Sequence, residues 1–188
     1  LFAARKAQDI TVRFADLHYG EVDAVAAIEQ ALTPRTRLIS LSHVSYATGA
    51  VLPLAEITEM AHRHSVPVLV DGAQSVGAMP VNVKNLGVDF YALSGQKWLC
   101  GPEGTGALYV RSDRLDTIGQ TFVGYASIAE KRGEEDAAED LFPHPTAKRF
   151  EVGTRHAPDL AGQAAAIAWL GEEVGLDWAF ARIASLAE

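Results

Sequence analysis

The stretch Asp89-Phe-Tyr-Ala-Leu-Ser-Gly-Gln-Lys97-Trp-Leu-Cys-Gly-Pro-Glu-Gly-Thr-Gly-Ala-Leu-Tyr109 decides the fold. Val88 to Leu93 is an apolar run that reads as a buried strand. It stops at Ser94-Gly95, and a turn rich in Gly and Pro leads into a second strand, Ala107 to Val110. Gly95 allows a turn that a larger residue resists. Lys97 then sits at a strand end, where open α/β sheets bind ligands. Leu93, Trp98 and Leu99 are expected to box in its amine, which loses charge more easily than a surface lysine. A neutral amine so placed can form a Schiff base with a carbonyl. Taken alone, the stretch also reads as a surface loop with a solvated lysine.

A second stretch, Val66-Pro-Val-Leu-Val-Asp71-Gly-Ala-Gln74, changes the balance. Strands buried on both faces of a parallel sheet read as continuous Val/Leu runs. An Asp ending such a run lies at the same sheet edge as Lys97. A lysine and a carboxylate at adjacent strand ends are what pyridoxal phosphate requires: the amine takes the aldehyde, and the carboxylate keeps the pyridine nitrogen protonated. The competing reading of Asp71 is a cap on a following turn.

Asp71-Gly-Ala-Gln74, Ser94-Gly-Gln-Lys97 and Gly101-Pro-Glu-Gly-Thr-Gly-Ala-Leu-Tyr109 together resemble the signatures of the class V aminotransferase family, pyridoxal-phosphate enzymes of fold type I. That family includes cysteine desulfurases, selenocysteine lyases, related carbon–sulfur lyases and the isopenicillin N epimerase group. The resemblance runs from about Ile10 to Gly171. It implies that Lys97 is the Schiff-base residue and the shuttle for the substrate α-proton. It gives Asp71 to the pyridine nitrogen, Gln74 to the phenolic oxygen and His43 to the ring face. It gives Ser94 and Gln96 to the phosphate, and Thr154, in Arg149-Phe-Glu-Val-Gly-Thr154, to the phosphate of the neighbouring subunit, so a homodimer with a shared active site is implied. Many relatives carry His where Gln96 stands, and Gln cannot bear positive charge. Desulfurases often carry Asn where Tyr46 stands. The resemblance also implies that this chain is a single cofactor-binding large domain, residues 1–188, lacking an N-terminal segment and a small C-terminal domain.

The chain has 188 residues, 48% hydrophobic and 21% charged, ordinary for a globular domain with a full core. A net charge of −8 gives no basic footprint for nucleic acid. No apolar run reaches the roughly 20 residues of a membrane span. The single cysteine excludes an intrachain disulfide and fits a reducing, cytoplasmic setting. Cys100 falls in a tight turn just after Lys97 and reads as structural. Cys and His show no zinc-ligand spacing. The run Gly101–Gly106 leads into a strand and lacks Gly-Lys-Ser/Thr, so it is no nucleotide-binding fingerprint.

In order, the pattern predicts a strand over Asp9–Phe14, a helix over Glu21–Leu32 and a strand over Thr36–Ser42 that delivers His43. Next come a helix from Leu54 to about His64 opened by Pro53, the Val66–Asp71 strand, a short turn at Gln74–Gly77 and a connector to Gly87. After the two strands around Lys97, Ser112–Ile118 reads as a short helix. Ala129–Asp140 reads as a solvated charged loop, Asp159 to Val174 as an Ala-rich helix, and a last helix starts near Leu176. Strand–helix alternation predicts an α/β fold, a mostly parallel sheet with helices on both faces and one antiparallel strand. The leading reading of function is cysteine desulfurase-like or carbon–sulfur lyase chemistry on an amino acid. Epimerase or aminotransferase activity stands as the alternative, and a non-catalytic relative as a reading of another class.

Overall fold

The computed structural model describes residues 10–18, 21–129 and 142–187. At its centre is a four-stranded sheet in the order β1-β2-β3-β4, formed by Ile39–Ser42, Val68–Asp71, Phe90–Ser94 and Gly106–Val110. β1, β2 and β3 are parallel, and β4 returns antiparallel to β3. Parallel neighbours need crossovers. Helix α2 (Leu54–Arg63) joins β1 to β2, and the single turn α3 (Val83–Leu86) joins β2 to β3. The fold is therefore α/β with one antiparallel strand.

Local chemistry sets the helix ends. In α1 (Ala24–Ala31) the side chain of Asp23 accepts from the N–H groups of Val25 and Ala26. Asn82 does the same for Lys84 and Asn85 at the start of α3, and Gly87, at φ 68°, ends it in the left-handed conformation. On α2, Leu54, Ile57, Met60 and Ala61 lie on one buried face. With Ile28 of α1 they close over Ile39, Val68, Val70 and Tyr91 in one apolar core. Each large side chain there contributes about 1.5–3 kcal/mol by leaving water.

The opposite sheet face is covered differently. Phe90, Val110 and Leu115 form a smaller cluster, joined by Ile118, Ala147 and Phe150. Two 3-10 turns, Ser112–Thr117 and Ala147–Phe150, supply the cover. Helix α4 (Ala157–Trp169) runs on through a π-helical turn, Leu170–Val174, and α5 (Leu176–Ala187) follows. Neither α4 nor α5 buries a side chain fully.

Asp89 pins the N-terminal end of the sheet. Its side chain is 0% exposed. It accepts from Val68 N–H at 2.7 Å, His62 Nε2 at 2.9 Å and Arg114 Nε at 2.7 Å, with Arg111 also 2.9 Å away. Burial pushes its pKa up, but the bonds from His62, Val68 and Arg114 outweigh that and hold the carboxyl below the ordinary value.

Some expectations change. Residues 10–14 alternate as a strand would, yet they have no regular structure. Asp9 lies outside the described residues. The Ala-rich helix begins at Ala157, where Pro158 fits the first turn, and passes into the π-helical turn at Leu170. Residues 130–140 of the charged segment also lie outside the described residues.

Candidate active site

Three strand ends meet at one edge. Ser42 of β1 pairs with Asp71 of β2, and Asp71 pairs with Ala92 of β3. Val68 and Val70 enter the helix-covered core, so by alternation Asp71 projects from the other face. Its carboxylate is exposed, and Oδ1 accepts from Ala73 N–H at 2.9 Å. Oδ1 thus shapes the turn, as the capping reading of Asp71 expects, and Oδ2 has no partner among the described residues.

The turn after Asp71 rests on Tyr91. A Cβ on Gly72 would lie 2.0 Å from the Tyr91 ring, so only glycine fits. His43 Nδ1 and the Tyr91 hydroxyl are 2.8 Å apart, the Tyr91 hydroxyl and Ser75 Oγ 2.5 Å, and Ser75 donates to Gly72 O at 3.1 Å. Since Ser75 gives its one proton to Gly72 O, the chain is satisfied when His43 donates to Tyr91 and Tyr91 to Ser75. Burial pushes the His43 imidazole below its ordinary pKa and the Tyr91 phenol above its own. Both groups are thus held neutral beneath the turn that carries Gln74.

Lys97 sits on a closed loop. Gly101 N–H donates to Gly95 O at 2.9 Å, Cys100 N–H to Lys97 O at 2.9 Å and Gly95 N–H to Thr105 O at 2.8 Å. Cys100 takes a positive φ of 55°, as its place in a tight turn requires, and its thiol is free and exposed. The reason for glycine at 95 differs from the expectation. Its φ is not in the left-handed region; instead, a Cβ there would lie 1.9 Å from Gln163 Oε1 and 2.1 Å from Thr105 Oγ1. Gln163 of α4 reaches between Gly95 and Gly101 and meets the Thr105 hydroxyl at 2.7 Å. Nor is Lys97 boxed in by Leu93, Trp98 and Leu99. The loop turns Gln96, Lys97 and Trp98 outward, and all three are exposed.

A pocket of about 150 Å³ at this edge is lined by Ser42, Val44, Tyr46, Asp71, Ala73, Gln74 and Lys97. It brings together Asp71, Gln74 and Lys97 from separate parts of the sequence. It leaves out His43, Ser94, Gln96 and Thr154. His43 is 4% exposed and edge-on to Tyr91. Ser94 ends β3 opposite Gly106, and Gln96 is exposed. Thr154 meets the Tyr125 hydroxyl. A larger cavity, about 1040 Å³, opens beside Leu69, Phe90 and Leu108 and contains none of the expected site residues.

The side chains present fit the ring end of pyridoxal phosphate: an amine for the aldehyde, a carboxylate oxygen for the ring nitrogen and an amide for the phenolic oxygen. Sequence reasoning missed Tyr91, Ser75, Trp98 and Gln163. Tyr91 stood in a strand at a position alternating with Phe90, a signal of the core face. Gln163 left no signal beyond two glycines six residues apart, because it arrives from a distant helix.

A family model described as Aminotransferase class-V matches residues 2–188. A cysteine desulfurase of Haloferax volcanii is 39% identical over 153 residues, 81% of this chain and 34% of that protein. An isopenicillin N epimerase of Streptomyces clavuligerus is 37% identical over 147 residues, 77% of this chain and 37% of that protein. Among solved structures, the cystine C-S lyase C-DES, in complex with its reaction product cysteine persulfide, superposes with a TM-score of 0.74 at 42% identity, over 83% of this chain and 41% of that one. A mutant of C-DES with glycine covalently linked to its PLP cofactor superposes with a TM-score of 0.73 at 41% identity, over 85% of this chain and 42% of that one. This chain thus spans about a third of the length of these curated relatives.

Proposed function

We propose that this chain, which belongs to the class V aminotransferase family, forms the pyridoxal-phosphate site of an enzyme that breaks the carbon–sulfur bond of cysteine or cystine. The observation that carries this is the meeting of Asp71, Gln74 and Lys97 in one pocket at the C-terminal ends of parallel strands. The desulfurase and C-S lyase likenesses support the choice of a sulfur amino acid.

When bound, pyridoxal phosphate supplies an aldehyde and a protonated ring that draws electrons from the α-carbon of an attached amine. With the cofactor in place, Lys97 Nζ would be the amine that holds its aldehyde and, once freed, the base that carries the proton at the substrate α-carbon. Asp71 Oδ2 keeps the proton on the ring nitrogen. Gln74 Nε2 donates to the phenolic oxygen. Ser94, the last residue of β3, and Gln96, on the loop beside Lys97, would hold the phosphate, and His43 would act through Tyr91 beneath the turn.

The enzyme works as a homodimer in the cytoplasm, with Thr154 serving the neighbour's phosphate. Thr154 does not line the pocket of its own chain, and it meets the hydroxyl of Tyr125, a ring that is 70% exposed. An exposed free thiol at Cys100 suits a reducing compartment. Among the described residues no helix is long and apolar enough to cross a membrane.

A second reading, amino-acid epimerisation, is favoured by Tyr46, which lines the pocket and is 86% exposed at the position where desulfurases often carry Asn. One experiment separates the two. The full-length protein, loaded with pyridoxal phosphate, is given cysteine with a reductant present, or cystine with the reductant added only after quenching, in deuterium oxide. Sulfide release supports the lyase reading. Deuterium entry at the α-carbon with the carbon–sulfur bond intact overturns it in favour of the epimerase, and neither outcome points to a relative without turnover.

A further inference from the structure

Trp98 is 42% exposed, which burial of apolar area does not explain. Its indole N–H instead donates to Gln74 Oε1 at 3.0 Å. An indole nitrogen only donates, so the Gln74 atom facing it is the carbonyl oxygen, and the amide nitrogen is left over. That nitrogen has no partner among the described residues, and Gln74 lines the pocket with Asp71 and Lys97. The two backbones also touch: a Cβ on Gly77, at φ 92°, would lie 2.6 Å from the carbonyl of Trp98. The turn bearing Gln74 is therefore clamped to the loop bearing Lys97, once through backbone and once through side chains.

We propose that Trp98 is a positioning residue that holds the Gln74 amide with its nitrogen turned into the pocket, where it donates to an anionic oxygen of the cofactor ring. The inference rests on the pyridoxal-phosphate reading of the pocket. Without the indole N–H, the Gln74 amide loses the bond that fixes its orientation, and its nitrogen spends less time donating to that anion. The ring oxygen then holds a proton more tightly. A hydrogen bond to a charged group is strong enough to move such a titration by roughly one pH unit.

The test uses the full-length protein loaded with pyridoxal phosphate, with the visible absorbance of the bound cofactor titrated against pH. Trp98→Phe keeps an aromatic ring and removes the donor. Its titration midpoint should rise by roughly half to one unit, with the melting temperature unchanged. Gln74→Ala should shift the midpoint in the same direction. The double variant should shift no further than Gln74→Ala alone, because Trp98 acts only through Gln74. In the cofactor-free protein, Gln74→Ala should move the indole N–H resonance of Trp98 and leave those of Trp169 and Trp178 in place. An unshifted midpoint in Trp98→Phe with a normal visible band, or additive shifts in the double variant, would overturn the role of Trp98 while leaving the cofactor reading intact. No visible band in the parent would overturn both.

Discussion

Asp71 and Asp89 stand at opposite ends of the same parallel strands and are used in opposite ways. Asp89 lies just before β3, fully buried and surrounded by Val68 N–H, His62, Arg111 and Arg114. Asp71 ends β2, is exposed, and takes one N–H, from Ala73. A carboxylate whose acceptor capacity is filled by its own chain has nothing left to offer a ligand. A carboxylate with an oxygen to spare, beside an amine and an amide in one pocket, does. Partner count and company separate framework from site here, and charge alone would have ranked the two residues together.

The comparison breaks most visibly on folding stability in the full-length protein. Asp89→Ala leaves Arg114 and His62 without their carboxylate partner, and Arg111 with Asp113 alone. It should lower the unfolding free energy by about 3–5 kcal/mol, read from the urea midpoint. Asp71→Ala should not approach that loss.

Next in size is the packing beside the pocket. A Cβ on Gly101 would lie 1.9 Å from Gln163 Oε1, with no other group among its nearest contacts. Gly101→Ala should cost about 1–3 kcal/mol. Gln163→Ala in the same chain should recover part of that cost, since it removes the obstructing side chain. Additive losses in the denaturation curves of the double variant would show that Gln163 is not what crowds this glycine.

Acid sharpens the contrast further. The folded state holds the Asp89 carboxyl below its ordinary pKa, so the unfolded chain binds its proton first as the pH drops. The stability it contributes is therefore present above the ordinary carboxylate value, near pH 4, and disappears as the pH falls through the lower folded value. Denaturation midpoints measured from neutral to strongly acidic pH should fall less in Asp89→Asn than in the parent. Equal slopes would remove Asp89 as a source of the acid dependence.

The smallest effect on folding belongs to the site. Asp71→Asn keeps shape and an acceptor for Ala73 N–H, so stability should stay within about 0.5 kcal/mol. Turnover of the loaded enzyme should nevertheless fall by roughly 100-fold or more, because a neutral amide no longer holds the proton on the ring nitrogen.

Much of this was legible in the sequence. Continuous Val/Leu runs marked β2 and β3, Pro53 and the spacing of Ile57, Met60 and Ala61 marked α2, and Gly101–Gly106 marked the turn into β4. Asp71 and Lys97 were legible because each follows the end of an apolar run and strand ends gather at one edge, whereas Gln74 came only with the family resemblance. Residues 10–14 alternate as a strand does and yet take no regular structure. The rest of what escaped was set by distant partners. His43 ends a strand as expected, but its ring turns under Gly72 to Tyr91, a pairing 48 residues apart that periodicity cannot encode. Gly95 looked like a conformational glycine and is a steric one, because Gln163 arrives from α4.

The most direct measurement of the central claim fixes the cofactor in place. The full-length protein, loaded with pyridoxal phosphate, is reduced with borohydride, digested and mapped by mass spectrometry. The expected result is a pyridoxyl group on Lys97, with none bound in Lys97→Ala. A pyridoxyl group on another lysine, or adduct persisting in Lys97→Ala, would contradict the assignment of this pocket.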